Sequence, residues 1–197
     1  LQHLKGGRHP LRNLRRGRSP LGYWRRTTLD LSFIDGMHLF EYVLRDFINV
    51  EKHSDGASVI VFDDMLPRSI DEAARDRHTD AWTGDVYKII EILGRYRPDL
   101  VLVLVDTQPT GQLIAFGADH TNTVLKDKYD EIIAEYEVPD PQKVPEAVLE
   151  RVKAVKPETL LEADFWGPLV RARNRGLKRG RGWDALRKAL EPYAVSR

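Results

Sequence analysis

Two short apolar stretches that end in acids decide the fold class of this chain. Residues 29–36 read Leu-Asp-Leu-Ser-Phe-Ile-Asp-Gly, and residues 57–64 read Ala-Ser-Val-Ile-Val-Phe-Asp-Asp. Apolar runs of this length that stop at turn-forming residues are typical of buried strands. Between them, apolar residues recur at helical spacing from Phe40 to Ile48. The sequence therefore predicts a strand, a helix and a second strand, a unit in which the two strands run parallel.

The pattern continues with a second helix, a third strand and a hairpin. We expect Thr83 to be the N-cap of the second helix, and the aliphatic run Leu100–Val105 to form the third strand. A turn at residues 108–111 then leads into a fourth strand at residues 112–116, which the tight turn makes antiparallel to the third. The predicted fold class is α/β: a partial Rossmann-like sheet of parallel strands that ends in an antiparallel hairpin, followed by C-terminal helices. Those helices are expected beyond residue 120, around 145–153, 158–175 and 183–190.

Charge divides the chain into three parts, although the net charge of its 197 residues is only +1. Residues 1–26 carry a net charge of +8 and residues 171–197 carry +7, whereas the stretch between them carries −14. We predict a basic irregular arm at 1–27, an α/β core at 28–120 and a helical extension with a basic tail at 121–197. The basic ends are either solvated tails or a surface for polyanions, so a nucleic-acid-binding protein is kept as an alternative.

Composition excludes several classes of protein. A hydrophobic fraction of 42% supports a real core, and the absence of cysteine excludes disulfides, cysteine zinc sites and thiol nucleophiles. The longest aliphatic run, Leu100–Val105, is far shorter than the roughly 20 residues of a membrane-spanning helix. The basic start of the chain is not followed by the apolar stretch of a secretory signal. We therefore expect a cytoplasmic protein without a membrane partner.

Acidic residues follow the first two predicted strands. Asp35 ends the first, and Asp63 with Asp64 ends the second. Neighbouring parallel strands lie about 4.8 Å apart, and ligands of open α/β sheets bind beyond their carboxyl ends. Three carboxylates that converge there predict a site for Mg²⁺ or a similar divalent cation. The alternative is that each acid only caps the turn or helix that follows it.

Histidine and aromatic residues near the same edge supply further candidates. His38 lies three residues after Asp35, at the start of the predicted helix, where a neutral imidazole can take a proton from a substrate hydroxyl. A solvated histidine at a helix start is the alternative. His78, Trp82 and Asp85 follow the second strand and are weaker candidates for a substrate wall, and Trp82 could instead belong to the core.

The stretch from about residue 28 to 120 resembles the class I S-adenosylmethionine-dependent methyltransferases. Residues 30–38, Asp-Leu-Ser-Phe-Ile-Asp-Gly-Met-His, are similar to the fourth strand of that fold and its exit, and residues 59–64 are similar to its fifth strand with its acidic end. The runs 100–106 and 112–117 resemble the hairpin that closes its sheet. This likeness implies S-adenosylmethionine as cofactor, with Asp35 and Gly36 as cofactor-binding residues.

The resemblance also implies a reaction. In metal-dependent members, such as the catechol O-methyltransferase-like and macrolide-tailoring enzymes, acids that match Asp35, Asp63 and Asp64 hold a divalent cation, which binds the acceptor hydroxyl. The residue that matches His38 serves as the base in some members. The likeness therefore implies methyl transfer to the hydroxyl of a small molecule.

One part of the family pattern is not found in this sequence. The glycine-rich turn and the acid that hold the cofactor belong upstream of residue 28, but residues 1–27 contain no strand pattern, no G-x-G-x-G and no acid. We therefore expect the chain to correspond to the second half of the fold, as a truncated or inactive form. A homo-oligomer, or a partner chain that completes the sheet, is also expected, because the first strand would otherwise have an open edge.

Overall fold

The computed structural model describes residues 28–174 and 181–195. Its central element is a four-stranded sheet. Its strands lie in the order β1-β2-β4-β3. They are β1 (Leu31–Ile34), β2 (Val59–Phe62), β3 (Val101–Val105) and β4 (Gln112–Phe116). β1 and β2 are parallel, and Ile34 lies opposite Phe62. The α/β class and the terminal antiparallel hairpin are therefore confirmed.

The position of β4 differs from the simplest expectation. Strands separated by a helix were expected to pair in parallel, but β2 and β3 are not neighbours. β4 folds back from its turn into the gap between them and is antiparallel to both. Ala115 lies opposite both Ile60 and Leu102, so the inserted strand closes the backbone hydrogen bonds of the sheet on its two sides. The sheet is mixed rather than parallel.

Helices α1 (Phe40–Glu51) and α2 (Lys88–Tyr96) cover one face of the sheet. Phe47 of α1 packs on Phe62 of β2, with ring centroids 5.5 Å apart. The prediction that Thr83 caps the second helix is wrong, since α2 begins at Lys88. The hydroxyl of Thr83 instead donates a hydrogen bond to the Glu72 carbonyl at 3.0 Å, which holds the loop before α2.

Shorter helices follow β4 and complete both cores. Ile132 and Tyr136 contribute to the core under α1 and α2. Phe165, Leu169 and Trp183 pack with Val103 and Phe116 on the opposite face. Described residues beyond 120 therefore add to the cores on both faces of the sheet. Within the described ranges, no helix has the length and apolar character needed to cross a membrane. The elements are α3 (Val124–Asp127), α4 (Tyr129–Tyr136), α5 (Glu146–Leu149), α6 (Pro157–Leu161), α7 (Trp166–Asn174), α8 (Arg181–Leu190) and a final 3₁₀ turn (Glu191–Tyr193).

A buried ion pair joins the end of α1 to the end of α2. The Arg97 guanidinium donates to both carboxylate oxygens of Glu51 at 2.6 Å and makes two further bonds of 2.9 Å to Asp99. Glu51 also accepts a hydrogen bond from the Asp119 N–H at 3.0 Å. Burial raises the pKa of Glu51, and the Arg97 hydrogen bonds oppose that rise. The charged form of each buried side chain is therefore stabilised by its partner.

Replacing Arg97 by Met should be strongly destabilising. The change leaves the buried Glu51 carboxylate without its counter-charge, which costs about 3–5 kcal/mol in comparable pairs. Urea unfolding at pH 7 should show this loss, and the loss should shrink in acid, where Glu51 takes up a proton. Arg95→Met is the matched control, because Arg95 pairs with Glu135 on the surface. Equal effects of the two substitutions would contradict the account.

The outer edge of β1 is open within the described part of the chain. β1 pairs there with β2 alone, and the side chains of Leu31 and Phe33 are 65% and 54% exposed. The sheet register puts Phe33 on the same face as Val103, which the C-terminal helices cover at the other end of the sheet. An apolar edge strand of this kind readily recruits another strand.

We predict that the chain self-associates through this edge. Light scattering after size-exclusion chromatography should give a mass that rises with protein concentration. Phe33→Thr should reduce the association, because it removes the exposed ring, while the β-branched threonine retains a high strand propensity. Val170→Thr is the control, since Val170 is equally exposed, at 53%, but lies on α7. A concentration-independent monomer would contradict the prediction.

Candidate functional site

Three side chains with metal-ligating atoms converge where β1 and β2 end. Asp35 follows β1, Asp64 lies two residues beyond β2, and His38 lies in the connection from β1 to α1. The His38 Nε2 atom is 3.2 Å from Asp64 Oδ2 and 3.7 Å from Asp35 Oδ1. One ligand atom of each residue lies within 4.8 Å of those of the other two. We call Asp35, His38 and Asp64 the strand-end cluster.

The carbonyl of Trp82 orients the ring of His38. His38 Nδ1 lies 2.6 Å from this oxygen, and the two rings stack with centroids 5.1 Å apart and planes 20° apart. A carbonyl only accepts hydrogen bonds, so Nδ1 carries the hydrogen. The neutral ring then presents the lone pair of Nε2 to Asp35 and Asp64. A lone pair facing two carboxylates is unfavourable alone, and either a proton or a cation between them removes the repulsion.

Asp64 is held in an uncommon backbone conformation. Its φ of +62° lies in the left-handed region, which aspartate tolerates better than most residues. Its N–H donates to Asp63 Oδ1 at 3.1 Å. Burial raises the pKa of Asp64, and the charges of Asp63 and Asp35 add to that rise, whereas the Thr110 hydrogen bond and the His38 charge oppose it. The ionised carboxylate is therefore under strain that a bound positive charge would relieve.

The dimensions of the strand-end cluster suit a six-coordinate divalent cation. Mg²⁺ binds oxygen ligands at about 2.1 Å, so adjacent ligands are about 3 Å apart. His38 Nε2 lies 3.2 Å from Asp64 and 3.7 Å from Asp35, and the ligand atoms of all three residues lie within 4.8 Å of one another. The side chain of Asp35 is 51% exposed, which leaves one side accessible to water or to a substrate oxygen. Residues of this cluster can therefore hold such an ion.

Asp63, predicted as a third carboxylate ligand, lies outside this cluster. Its Oδ1 atom accepts the Asp64 N–H and lies 3.5 Å from the Gln112 amide nitrogen. It stabilises the turn and contributes negative charge beside Asp64. His38, predicted as a base, lies beside the other two carboxylates, with its Nε2 atom 3.7 Å from Asp35 and 3.2 Å from Asp64.

The other predicted residues lie in different surroundings. The Trp82 ring stacks on His38, and the Arg77 guanidinium lies 5.9 Å from the centre of the same indole. His78 is on the surface, where its Nδ1 donates to the Asp76 carbonyl at 2.8 Å and its Nε2 lies 3.8 Å from the Asp71 carboxylate.

Asp85 and Gly36 are constrained by packing. Asp85 is completely buried, accepts the Phe40 N–H at 3.0 Å and is paired with Arg75 and Lys88, each at 2.7 Å. Its carboxylate is therefore enclosed by protein groups. Gly36 lies against Asp46, because a Cβ there would come within 2.9 Å of the Asp46 carboxylate.

Sequence reasoning missed Gly84 and Thr110, two residues that shape the site. Gly84 has a φ of +61°, and a Cβ built on it would lie 1.6 Å from the His38 carbonyl oxygen. Its signal was the Thr-Gly-Asp turn at residues 83–85. Thr110 hydrogen-bonds Asp64 from the loop before β4, and nothing in the local sequence indicated that contact.

Comparison of the chain with protein-family models, with curated proteins and with solved structures found no match. The chemistry of the strand-end cluster therefore provides the main support for a function.

Replacing Asp64 by Asn should stabilise the chain when no cation is present. A carboxyl whose pKa is raised on folding favours stability when protonated, and that contribution is lost as pH rises above its ordinary pKa of about 4. The asparagine variant lacks this loss, so its melting temperature should exceed that of the wild type at neutral pH, by a margin that vanishes in acid. Thermal melts at several pH values check this. A destabilised variant at neutral pH would contradict it.

Proposed function

We propose that the chain takes part in cation-dependent O-methyl transfer from S-adenosylmethionine to the hydroxyl of a small molecule. The strand-end cluster carries this proposal: two carboxylates and an oriented imidazole at the carboxyl ends of parallel strands. The strand-helix-strand unit and the closing hairpin are the features that the methyltransferase resemblance implies, and they support it.

Asp35 and Asp64 are the proposed cation ligands. Both are oxygen donors, and the half-exposed Asp35 leaves coordination positions open. When bound, Mg²⁺ would hold the acceptor oxygen and favour its ionised form through positive charge. Asp63 adds negative charge next to Asp64 and keeps the turn in place.

His38 is the proposed base. Its Nε2 lone pair faces the two carboxylates, where the acceptor hydroxyl would lie, and it is available because Nδ1 carries the hydrogen. The ring becomes an imidazolium when Nε2 takes the hydroxyl proton. The Trp82 carbonyl and the carboxylates of Asp35 and Asp64 then stabilise that charge.

The described residues offer fewer candidate contacts for the methyl donor than for the cation. The connection from β1 to α1 holds the single glycine Gly36, and the described ranges contain no glycine-rich turn between a strand and a helix that could enclose the donor. Asp35 and Gly36 are the proposed donor contacts. The proposal therefore assigns the described residues mainly to the acceptor side of the reaction.

Cation binding tests the acceptor side directly. Mn²⁺ or Mg²⁺ should raise the melting temperature of the wild type in a dose-dependent way, because a ligand that binds only the folded state stabilises it. Asp35→Asn and Asp64→Asn should lose that rise. Asp63→Asn should keep most of it, since Asp63 lies outside the strand-end cluster, and His38→Gln should keep it while abolishing methyl transfer. A wild type that does not respond to either ion would refute the cation site.

Calorimetry with S-adenosylhomocysteine tests the donor side. Binding in the micromolar range, weakened by Asp35→Ala, would support the proposed contact. Absence of heat in the wild type would remove methyl transfer as an activity of this chain alone, and it would leave the cation result unaffected.

The alternative function, binding of nucleic acid by basic arms, gains no support from the described contacts. Residues 1–26 lie outside the described residues. In the second arm, Arg173 is paired with Asp30 of the acidic body. The strand-end cluster is therefore the better basis for a function.

A further inference from the structure

We infer that Gly84 and Asp85 are positioning residues that fix the location and the tautomer of His38. The role of His38 as a base rests on the proposed function. The contacts that fix its position and tautomer do not depend on a cation or a methyl donor. One short segment, residues 82–85, contacts the ring of His38 and the backbone on either side of that ring.

The ring is held by the first residue of the segment. The Trp82 carbonyl takes the Nδ1 hydrogen at 2.6 Å, and the indole stacks on the imidazole. The indole is itself anchored, because its Nε1 donates to the Ala74 carbonyl at 2.6 Å. The Nδ1–H tautomer is therefore imposed by a backbone oxygen whose position depends on the path of residues 82–85.

The backbone of His38 is held by Gly84. A Cβ built on Gly84 would lie only 1.6 Å from the His38 carbonyl oxygen. The backbones of the two segments are therefore in direct contact, which a side chain at position 84 would prevent. The positive φ of Gly84 adds a second reason for glycine at this position. Any residue with a Cβ would push the segment away from His38, and the Trp82 carbonyl would move with it.

Asp85 fixes the chain on the far side of His38. Its Oδ1 accepts the N–H of Phe40, the first residue of α1, and the helix has no capping side chain from its own N-cap residue, Leu39. Asp85 therefore caps α1 from 45 positions along the chain. It is itself immobilised by Arg75 and Lys88, and Arg75 extends the network to Glu41 of α1.

The consequence is chemical as well as geometric. Only the Nδ1–H tautomer presents a basic lone pair at Nε2 to Asp35 and Asp64, and the other tautomer would present an N–H that cannot take a proton. The segment 82–85 therefore selects the form of His38 that can act as a base.

The test is ¹⁵N NMR of the imidazole rings in cation-free protein at pH 9, with His38 assigned from the signals lost in His38→Gln. The wild type should show a protonated Nδ1 and an unprotonated Nε2. Gly84→Ala should shift His38 towards the Nε2–H tautomer while the protein retains a cooperative melt. Gly94→Ala is the matched control, because Gly94 is on α2 with open space around it, and it should leave the tautomer unchanged.

Asp85→Asn keeps the protein testable if Gly84→Ala fails to fold. The amide preserves the shape and removes the charge that holds Arg75 and Lys88, so a measurable Nε2–H population at His38 is expected. Either of two results would overturn the inference: an Nε2–H His38 in the wild type, or folded variants at 84 and 85 with the wild-type tautomer. A supporting tautomer result combined with no response to Mn²⁺ would reject the cation site and leave the positioning role intact.

Discussion

The parallel register of β1 and β2 is the constraint on which the site depends. With Ile34 opposite Phe62, the two strands end at the same level, so Asp35 and the pair Asp63-Asp64 follow them at the same edge of the sheet. The backbone hydrogen bonds between β1 and β2 fix the spacing of the strand ends, and this brings together acids that are distant in sequence. A slip of one residue would separate the acids and turn the apolar side chains of β1 to the wrong face.

A second charged group, centred on Asp85, supports the connection from β1 to α1. Asp85 is buried under α1, and Arg75 and Lys88 compensate its charge. Buried charge pairs contribute little net stability, but loss of one partner is costly, so such a group specifies one arrangement of its neighbours. Here the arrangement is the connection from β1 to α1 that carries His38. The molecule thus combines a strained, negatively charged surface cluster with a rigid support, as is common where function requires unfavourable electrostatics.

How far the sequence predicts this molecule depends on the range of each interaction. The four strands, the hairpin and the acids at the strand ends follow from local patterns of apolar residues and turns, and they are present. The insertion of β4 between β2 and β3 cannot be predicted from local patterns. The tight turn determines that β4 pairs with β3, but it does not determine which strand pairs with the other edge of β4. The N-terminus of α1 is similar: its capping group, Asp85, is remote in sequence, and local rules pointed instead to Thr83 as a cap for α2.

Local sequence patterns also do not determine which acids belong to the strand-end cluster. Sequence position treats Asp63 and Asp64 alike, but the left-handed conformation of Asp64 turns it towards His38, while Asp63 stays on the turn. Backbone conformation at a single residue therefore decided which acid joined the cluster.

The most direct measurement is a titration of ¹⁵N-labelled protein with Mn²⁺, because a bound paramagnetic ion broadens the amide signals near it. The account predicts that the signals of Asp35, Gly36, His38 and Asp64 broaden first, at concentrations that leave the remainder of the spectrum sharp, and that Asp64→Asn abolishes this selectivity. Broadening that begins elsewhere on the acidic surface, or selective broadening that survives in Asp64→Asn, would contradict a cation site at the ends of β1 and β2.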